Sequence, residues 1–384
     1  MSTSATGPAP DRCPGVFATH EAADGRLARI RIPGGVIDAA ALDSLAAAAD
    51  EFGDGTIEIT VRGNLQVRGI EASRVDEFGA AVRAAGLASD ADHDRVRNVA
   101  MSPFTGRVGG LTDLRPVAQE LHARLVGASW STVLSGRFWF GLDDGRGDVL
   151  ARAADITGAA IDADSSVVVV GGVRVGERVA HTDLAAAMIE AASAFAEIAE
   201  GVWRVADLDD RRHGALYERL GLRDETSPAA RVPESRVGWF IQADGRVMLG
   251  AVVPLARLTA QQAHFAAAVG SPITVTPERE LLIGDLDEAV ADTVVRVLAP
   301  LGFVFDAQSP WTALTACTGA PGCGKSLTDV RGDLGLHVAG LDPEAGPPHP
   351  EHWLGCDRGC GTPTRSHVRV LASSDGYIRT ARHG

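Results

Sequence analysis

An internal repeat constrains this chain more than any other feature. Asp24-Gly25-Arg26 makes a turn, Leu27 to Ile32 alternates as a strand does, and Pro33-Gly34-Gly35 breaks it. Asp38 is placed to cap a helix reaching Phe52, with Leu42 and Leu45 at helical spacing, and Gly53-Asp54-Gly55 ends it. Ile57, Ile59 and Val61 then alternate as a second strand. The same order recurs from Asp244-Gly245-Arg246: a strand over Val247 to Val253, the breaker Pro254, a helix capped by Thr259 and running through Val269, then Ile273, Val275 and Pro277. A further helix completes each copy, near Val75–Ala85 and Glu288–Leu298. Matched order and matched breakers point to a duplicated strand–helix–strand–strand–helix unit, whose copies can pack as a pseudo-twofold pair.

Around the copies the chain divides into five stretches. Residues 1–11 read as a disordered tail, because they carry neither the positive nor the apolar region of a signal peptide. Residues 12–96 and 229–308 are the half-units. Residues 97–228, with strands near Phe138–Leu142 and Val167–Val170 and an Ala-rich helix from Leu184 to Ile198, form one α/β cofactor or substrate domain. Residues 309–384 form a second α/β domain, with Gly346-Pro347-Pro348-His349-Pro350 as a loop inside it. The net charge of −14 excludes nonspecific nucleic-acid binding. No window reaches the ~18 apolar residues of a membrane span. The expected compartment is the cytoplasm, with no membrane partner.

The last domain holds four of the five cysteines, Cys317 and Cys323 as C-x5-C and Cys356 and Cys360 as C-x3-C. Four thiolates can hold an iron–sulfur cube, one sulfur per iron. Gly319, Gly322 and Gly324 keep the backbone slim there, so that cofactor atoms can approach. Structural zinc also takes four cysteines, but its knuckles space them by two to four residues. Disulfides need an oxidising compartment. Scattered core cysteines are the remaining alternative, and two tight pairs argue against it. Cys13 stands alone, as a buried thiol can. The chain's single lysine, Lys325, lies two residues after Cys323.

A polar ladder is the second informative stretch. If residues 61–69 are extended, Arg62, Asn64, Gln66 and Arg68 share one face, and Gly63, Leu65, Val67 and Gly69 take the other. Donors in a row, two of them guanidinium forks, suit a ligand with several carboxylates. A solvent-facing strand alternates in the same way, and both readings stand at this point. The matching positions of the second copy, Glu278, Glu280, Leu282 and Gly284, change character, as in one binding copy and one degenerate copy.

These residues resemble the nitrite and sulfite reductase superfamily: the Thr315-Ala316-Cys317 and Cys356–Cys360 motifs, the Arg62–Gly69 ladder and the duplicated half-unit. Within it, Cys13-Pro14-Gly15, Arg62–Gly69, Arg137–Asp148 and Cys317–Leu327 look closest to the precorrin-3B synthase branch of aerobic cobalamin biosynthesis. The resemblance implies an α+β fold with duplicated ferredoxin-like half-domains plus two α/β cofactor domains. It implies a 4Fe–4S cluster on Cys317, Cys323, Cys356 and Cys360. The implied substrate is the tetrapyrrole precorrin-3A, hydroxylated at C20 by dioxygen with closure of a lactone. An external electron donor and a mononuclear non-haem iron are also implied, and siroheme is the alternative cofactor, in a nitrite or sulfite reductase. Sulfite reductases carry K-F-K over the anion, where this chain reads Arg137-Phe138-Trp139; Trp139 has no cation, and its ring is of the kind that packs against a macrocycle. Arg62, Arg68, Arg97 and Arg137, with Asn64 and Gln66, are the expected substrate contacts. His337, His352 and His367 fit surface or supporting roles better than iron ligation, and no catalytic residue is assigned.

Overall fold

The computed structural model describes residues 11, 13–221, 228–231, 235–342 and 348–383. The expected tail lies outside them apart from Asp11, and so do residues 346 and 347 of the Pro/Gly-rich loop. By contacts the chain forms two units. One comprises the described residues of 1–18, 31–35 and 89–233, the other those of 19–30, 36–88 and 234–384. The described chain has four principal sheets, and those of the two half-units and of the cysteine domain fall in one unit.

In that unit, each half-unit sheet is antiparallel and takes its fifth strand from the other copy. The first runs His20–Ala22, Gly25–Ile30, Leu65–Ile70, Thr56–Ile59 and then Arg257–Thr259. The second runs Gly238–Ile241, Val247–Val252, Glu280–Leu286, Ile273–Val275 and then Val36–Ile37. The duplicated order is present, and its two sheets are joined by reciprocal exchange of a short strand. Between the strands, the helix Ala39–Phe52 buries Leu42, Leu45, Ala46, Ala48 and Ala49 and packs on the helix Ala260–Ala267, which buries Ala263 and Ala266. Small side chains on both helices allow the close approach.

The ladder is shorter than the alternation predicts. Residues 61–63 form a turn, closed by the Gly63 amide on the Thr60 carbonyl at 3.0 Å, with Gly63 at φ 64°. The strand begins only at Leu65, so Arg62 and Asn64 precede it. The second copy repeats the turn: the Arg279 amide donates to the Thr276 carbonyl at 2.9 Å, and Arg279 itself stands at φ 68°.

The cysteine domain is a four-stranded sheet in the order Leu314–Ala316, Glu351–Leu354, His367–Ser373, Gly376–Arg382. Its first two pairings are parallel and the last antiparallel. The helix Val330–Ala339 covers one face through Val330 and Leu334, packed with Leu314, Trp353 and Val370. The other unit carries a five-stranded sheet, Val173–Ala180, Ser165–Val170, Ile156–Ala160, Phe140–Asp143 and Val99–Met101, with parallel pairings among the last three strands. Its Ala-rich helix, Leu184–Ile198, spans the residues that the sequence predicts, and it packs on the sheet.

Candidate metal centre

Both cysteine pairs leave the carboxyl ends of neighbouring parallel strands, the usual place for ligands in such sheets. Cys317 follows Leu314–Ala316, and its amide donates to the Trp353 carbonyl at 2.9 Å. Cys356 follows the strand Glu351–Leu354 by way of Gly355. The Gly355 amide donates to Cys317 Sγ at 3.3 Å. A Cβ on Gly355 would stand 1.7 Å from Ser326 Oγ, so only glycine fits between the two loops.

All four thiols are free of disulfides. Cys360 presents surface to solvent, yet burial of its thiol raises the pKa; Arg358 opposes this, and Cys317, Cys356 and Cys323 add to it. The four thiols therefore share one electrostatic neighbourhood. Around a single tetrahedral zinc, thiolates would stand about 3.8 Å apart. Among the described residues, the one group of three or more ligand atoms within 4.8 Å of one another is Asp143, Asp144 and Asp148. No three of the thiols lie within that limit of one another, so they are not gathered on one zinc, and four thiolates are the donor set that a four-iron cube takes. The residues present thus fit a cluster.

Only Ala23 Cβ, at 3.8 Å, stands near the Cβ position of Gly324, whereas Gly319 and Gly322 are turned to the chain's own residues rather than to the cofactor atoms that the sequence reading expects there. A Cβ on Gly319 would meet the Val330 amide nitrogen at 2.9 Å, and one on Gly322 would meet Asp24 Oδ2 at 2.8 Å. They admit the chain's own helix end and an ion pair. That pair is Arg68 with Asp24, at 2.9 Å through both Nε and Nη2, and Arg68 Nη2 also donates to the Gly322 carbonyl at 2.7 Å. Burial works against the Arg68 charge, but the Asp24 hydrogen bond and the charges of Glu58, Asp24 and Asp54 outweigh it and raise the pKa. Gln66 donates to buried Glu58, which also pairs with Arg331 at 2.6 Å. Asn64 is buried, whereas Arg62 is half-buried in its turn.

Three arginines absent from the sequence-based set stand in this neighbourhood: Arg279, Arg331 and Arg365. Burial first, then the charges of Arg331 and Arg365, push Arg279 down to about 10, against the pull of Glu58 and Cys317. Arg279 donates to the Gly361 carbonyl, beside Cys360, and Arg365 to the Thr312 carbonyl at 2.9 Å. The repeat held a signal for Arg279, because an arginine stands where the first copy has Gly63. His352 is fully buried; its Nε2–H donates to the Cys360 carbonyl at 3.0 Å, and its Nδ1 accepts from the Thr315 hydroxyl at 2.9 Å. Burial, then Arg279, pushes His352 down to about 3, so it is a neutral support for the loop. His367 bonds the Arg365 carbonyl at 2.8 Å, and His337 lies beside the Trp353 ring.

The remaining expected residues lie in the other unit. Arg97 is buried and pairs with Asp94 at 3.3 Å. Arg137 is exposed and lies over the Trp203 ring, 4.3 Å from its centre. Trp139 does not offer its ring to a macrocycle; it is buried against Ala100, Val149 and Ala154. Cys13 is half-buried and donates to the Gly136 carbonyl at 3.3 Å. The stretch 143–148 is an internally bonded loop: Asp143 accepts from the amides of Gly145, Gly147, Val149 and Leu150, Asp144 binds Arg146, and Asp148 accepts from Ser102.

Residues 20–85 match the model of the nitrite/sulfite reductase ferredoxin-like half domain. A precorrin-3B synthase of Sinorhizobium sp is 27% identical over 383 residues, spanning 95% of this chain and 81% of that protein. The ferredoxin–nitrite reductase of Synechococcus elongatus is 26% identical over 391 residues, spanning 90% and 76%. Among solved structures, the NirA protein of Mycobacterium tuberculosis superposes with a TM-score of 0.72 at 20% identity, covering 93% of this chain and 73% of that one. No helix among the described residues is long and apolar enough to cross a membrane. The chain thus has a nitrite/sulfite reductase-like fold, and in sequence it resembles precorrin-3B synthase and ferredoxin–nitrite reductase.

Proposed function

We propose that this chain is a precorrin-3B synthase, a monooxygenase that hydroxylates precorrin-3A at C20 and closes a lactone. The reading is carried by similarity to such a synthase across 95% of the chain. It is supported by two pairs of free thiols that follow neighbouring parallel strands. One oxygen atom of dioxygen enters the product, and the other leaves as water with two electrons from an external donor and two protons. Cys317, Cys323, Cys356 and Cys360 would hold a 4Fe–4S cluster, which when bound would supply electrons one at a time.

The chain's own part is binding and orientation. A substrate with many carboxylates needs local cations in a protein of net charge −14. Half-buried Arg62 carries its side chain within reach of solvent, and we assign a substrate carboxylate to it, while Gln66 is held by Arg29 and Glu58. Arg68, Asn64 and Arg97 are buried, and we assign them supporting roles. Neutral His352 keeps the Cys360 loop in place without adding a charge.

A siroheme-dependent nitrite or sulfite reductase is the second reading, favoured by the 26% identity to a nitrite reductase. Against it, the place of the two lysines of sulfite reductases reads Arg137-Phe138-Trp139. Anaerobic purification, iron and sulfide analysis and an optical spectrum separate the two, followed by incubation with precorrin-3A, dioxygen and a reductant. At least about four irons per chain, a broad brown shoulder and a product one oxygen atom heavier are expected. A Soret band, with ammonia from nitrite or sulfide from sulfite, would overturn the assignment.

A further inference from the structure

Each half-unit sends one arginine onto one of the two cysteine loops. From the first copy, Arg68 donates to the carbonyl of Gly322, one residue before Cys323. From the second, Arg279 donates to the carbonyl of Gly361, one residue after Cys360. Both acceptors are glycines, and the contact needs them. A Cβ on Gly322 would stand 2.8 Å from Asp24 and 3.4 Å from Arg68 Nη2, and one on Gly361 would stand 2.7 Å from Arg279 Nη2.

Arg279 bears a cost for its place. It holds φ 68° at the turn position that Gly63 holds at φ 64° in the first copy. Side chains are disfavoured in that region, and the rest of the turn is bonded alike in both copies. Such strain persists where the side chain has a task. The Arg279 guanidinium is buried where it meets the loop carbonyl.

We propose that Arg68 and Arg279 are positioning residues that clamp the two cysteine loops separately, one from each half of the duplication, so that the four thiols are set before a cluster is received. The purpose rests on the cluster reading above, but the clamps are tested without it. Hydrogen exchange read by mass spectrometry on the full-length, metal-free, reduced chain reports each loop on its own. Arg279→Gly relaxes the turn, and exchange in residues 355–362 is expected to rise on the order of tenfold, as one lost charge-assisted hydrogen bond gives. Residues 317–325 should keep their rates. Arg68→Gln should give the reverse pattern, and Asp24→Asn, which leaves the arginine in place, should give a weaker form of it. Arg279→Lys, with the charge but without the fork, should protect only in part. A melting temperature near that of the parent chain shows that each variant is folded. An equal rise in both loops, or a rise in neither, overturns the proposal. After cluster reconstitution, both arginine variants should lose iron to a chelator several-fold faster than the parent. A parent chain that takes up no cluster would defeat the cluster reading, while the exchange pattern would still decide the clamps.

Discussion

His122, on the helix Arg115–Gly127, keeps its ring Nε2 buried without a hydrogen-bond partner among the described residues. Burial first, then the charge of Arg97, pushes its pKa from 6.5 down to about 4. The fold therefore holds the ring neutral. Below pH 6.5 the unfolded chain takes up a proton that the folded chain refuses until about pH 4. Stability is full above that window and falls as the pH drops through it, by at most about 1.4 kcal/mol per pH unit and by less for a partly solvated ring. Denaturant midpoints at pH 7 and pH 5 should differ less in His122→Gln than in the parent, and equal differences would remove His122 as a source of acid sensitivity. At this scale the sequence shows residue types and hides partners. Arg68 reads as a ligand-binding fork, yet the carbonyl it binds is 254 positions away and its carboxylate is 44 away. Cysteine spacing within each pair is local, and so each pair stands out in the chain alone.

At the scale of the element, two helix starts that look alike in sequence differ in strength. Thr259 accepts from the Gln262 amide at 3.1 Å, and Gln262 Oε1 accepts from the Thr259 amide at 2.8 Å, a complete capping box. Asp38 occupies the matching position before Ala39–Phe52, but its side chain accepts no capping hydrogen bond. Thr259→Ala should therefore cost about 1 kcal/mol, and Asp38→Ala only a few tenths. Chemical denaturation of the two variants side by side checks the difference, and equal losses would contradict it. Helix positions were legible because apolar spacing and cap residues lie within a few positions of each other. The polar ladder misled because strand alternation continued through Val61-Arg62-Gly63, where the backbone turns. Gly63 was the local clue to that turn, and the second copy disguised it with an arginine.

For the whole molecule, the repeat was readable and the exchange of strands was not. Val36–Ile37 and Arg257–Thr259 are two and three residues long, too short for any periodic signature. Each follows a break, at Pro33-Gly34-Gly35 and at Pro254, that the sequence marks only as an end. Yet these short strands tie the copies into one cooperative body, because each sheet is completed by residues of the other copy. Leu258 is the clearest lever: it is 1% exposed and stands opposite Ile57 of the first copy. Leu258→Ala should cost about 2–5 kcal/mol through the cavity it leaves. If the exchange joins the halves, that loss is not confined to the second copy. Hydrogen-exchange protection of Thr56–Ile59 should fall together with that of Arg257–Thr259, and melting should remain a single transition. Protection lost around residue 258 alone, with the first sheet unchanged, would mean that the two copies fold as separate bodies.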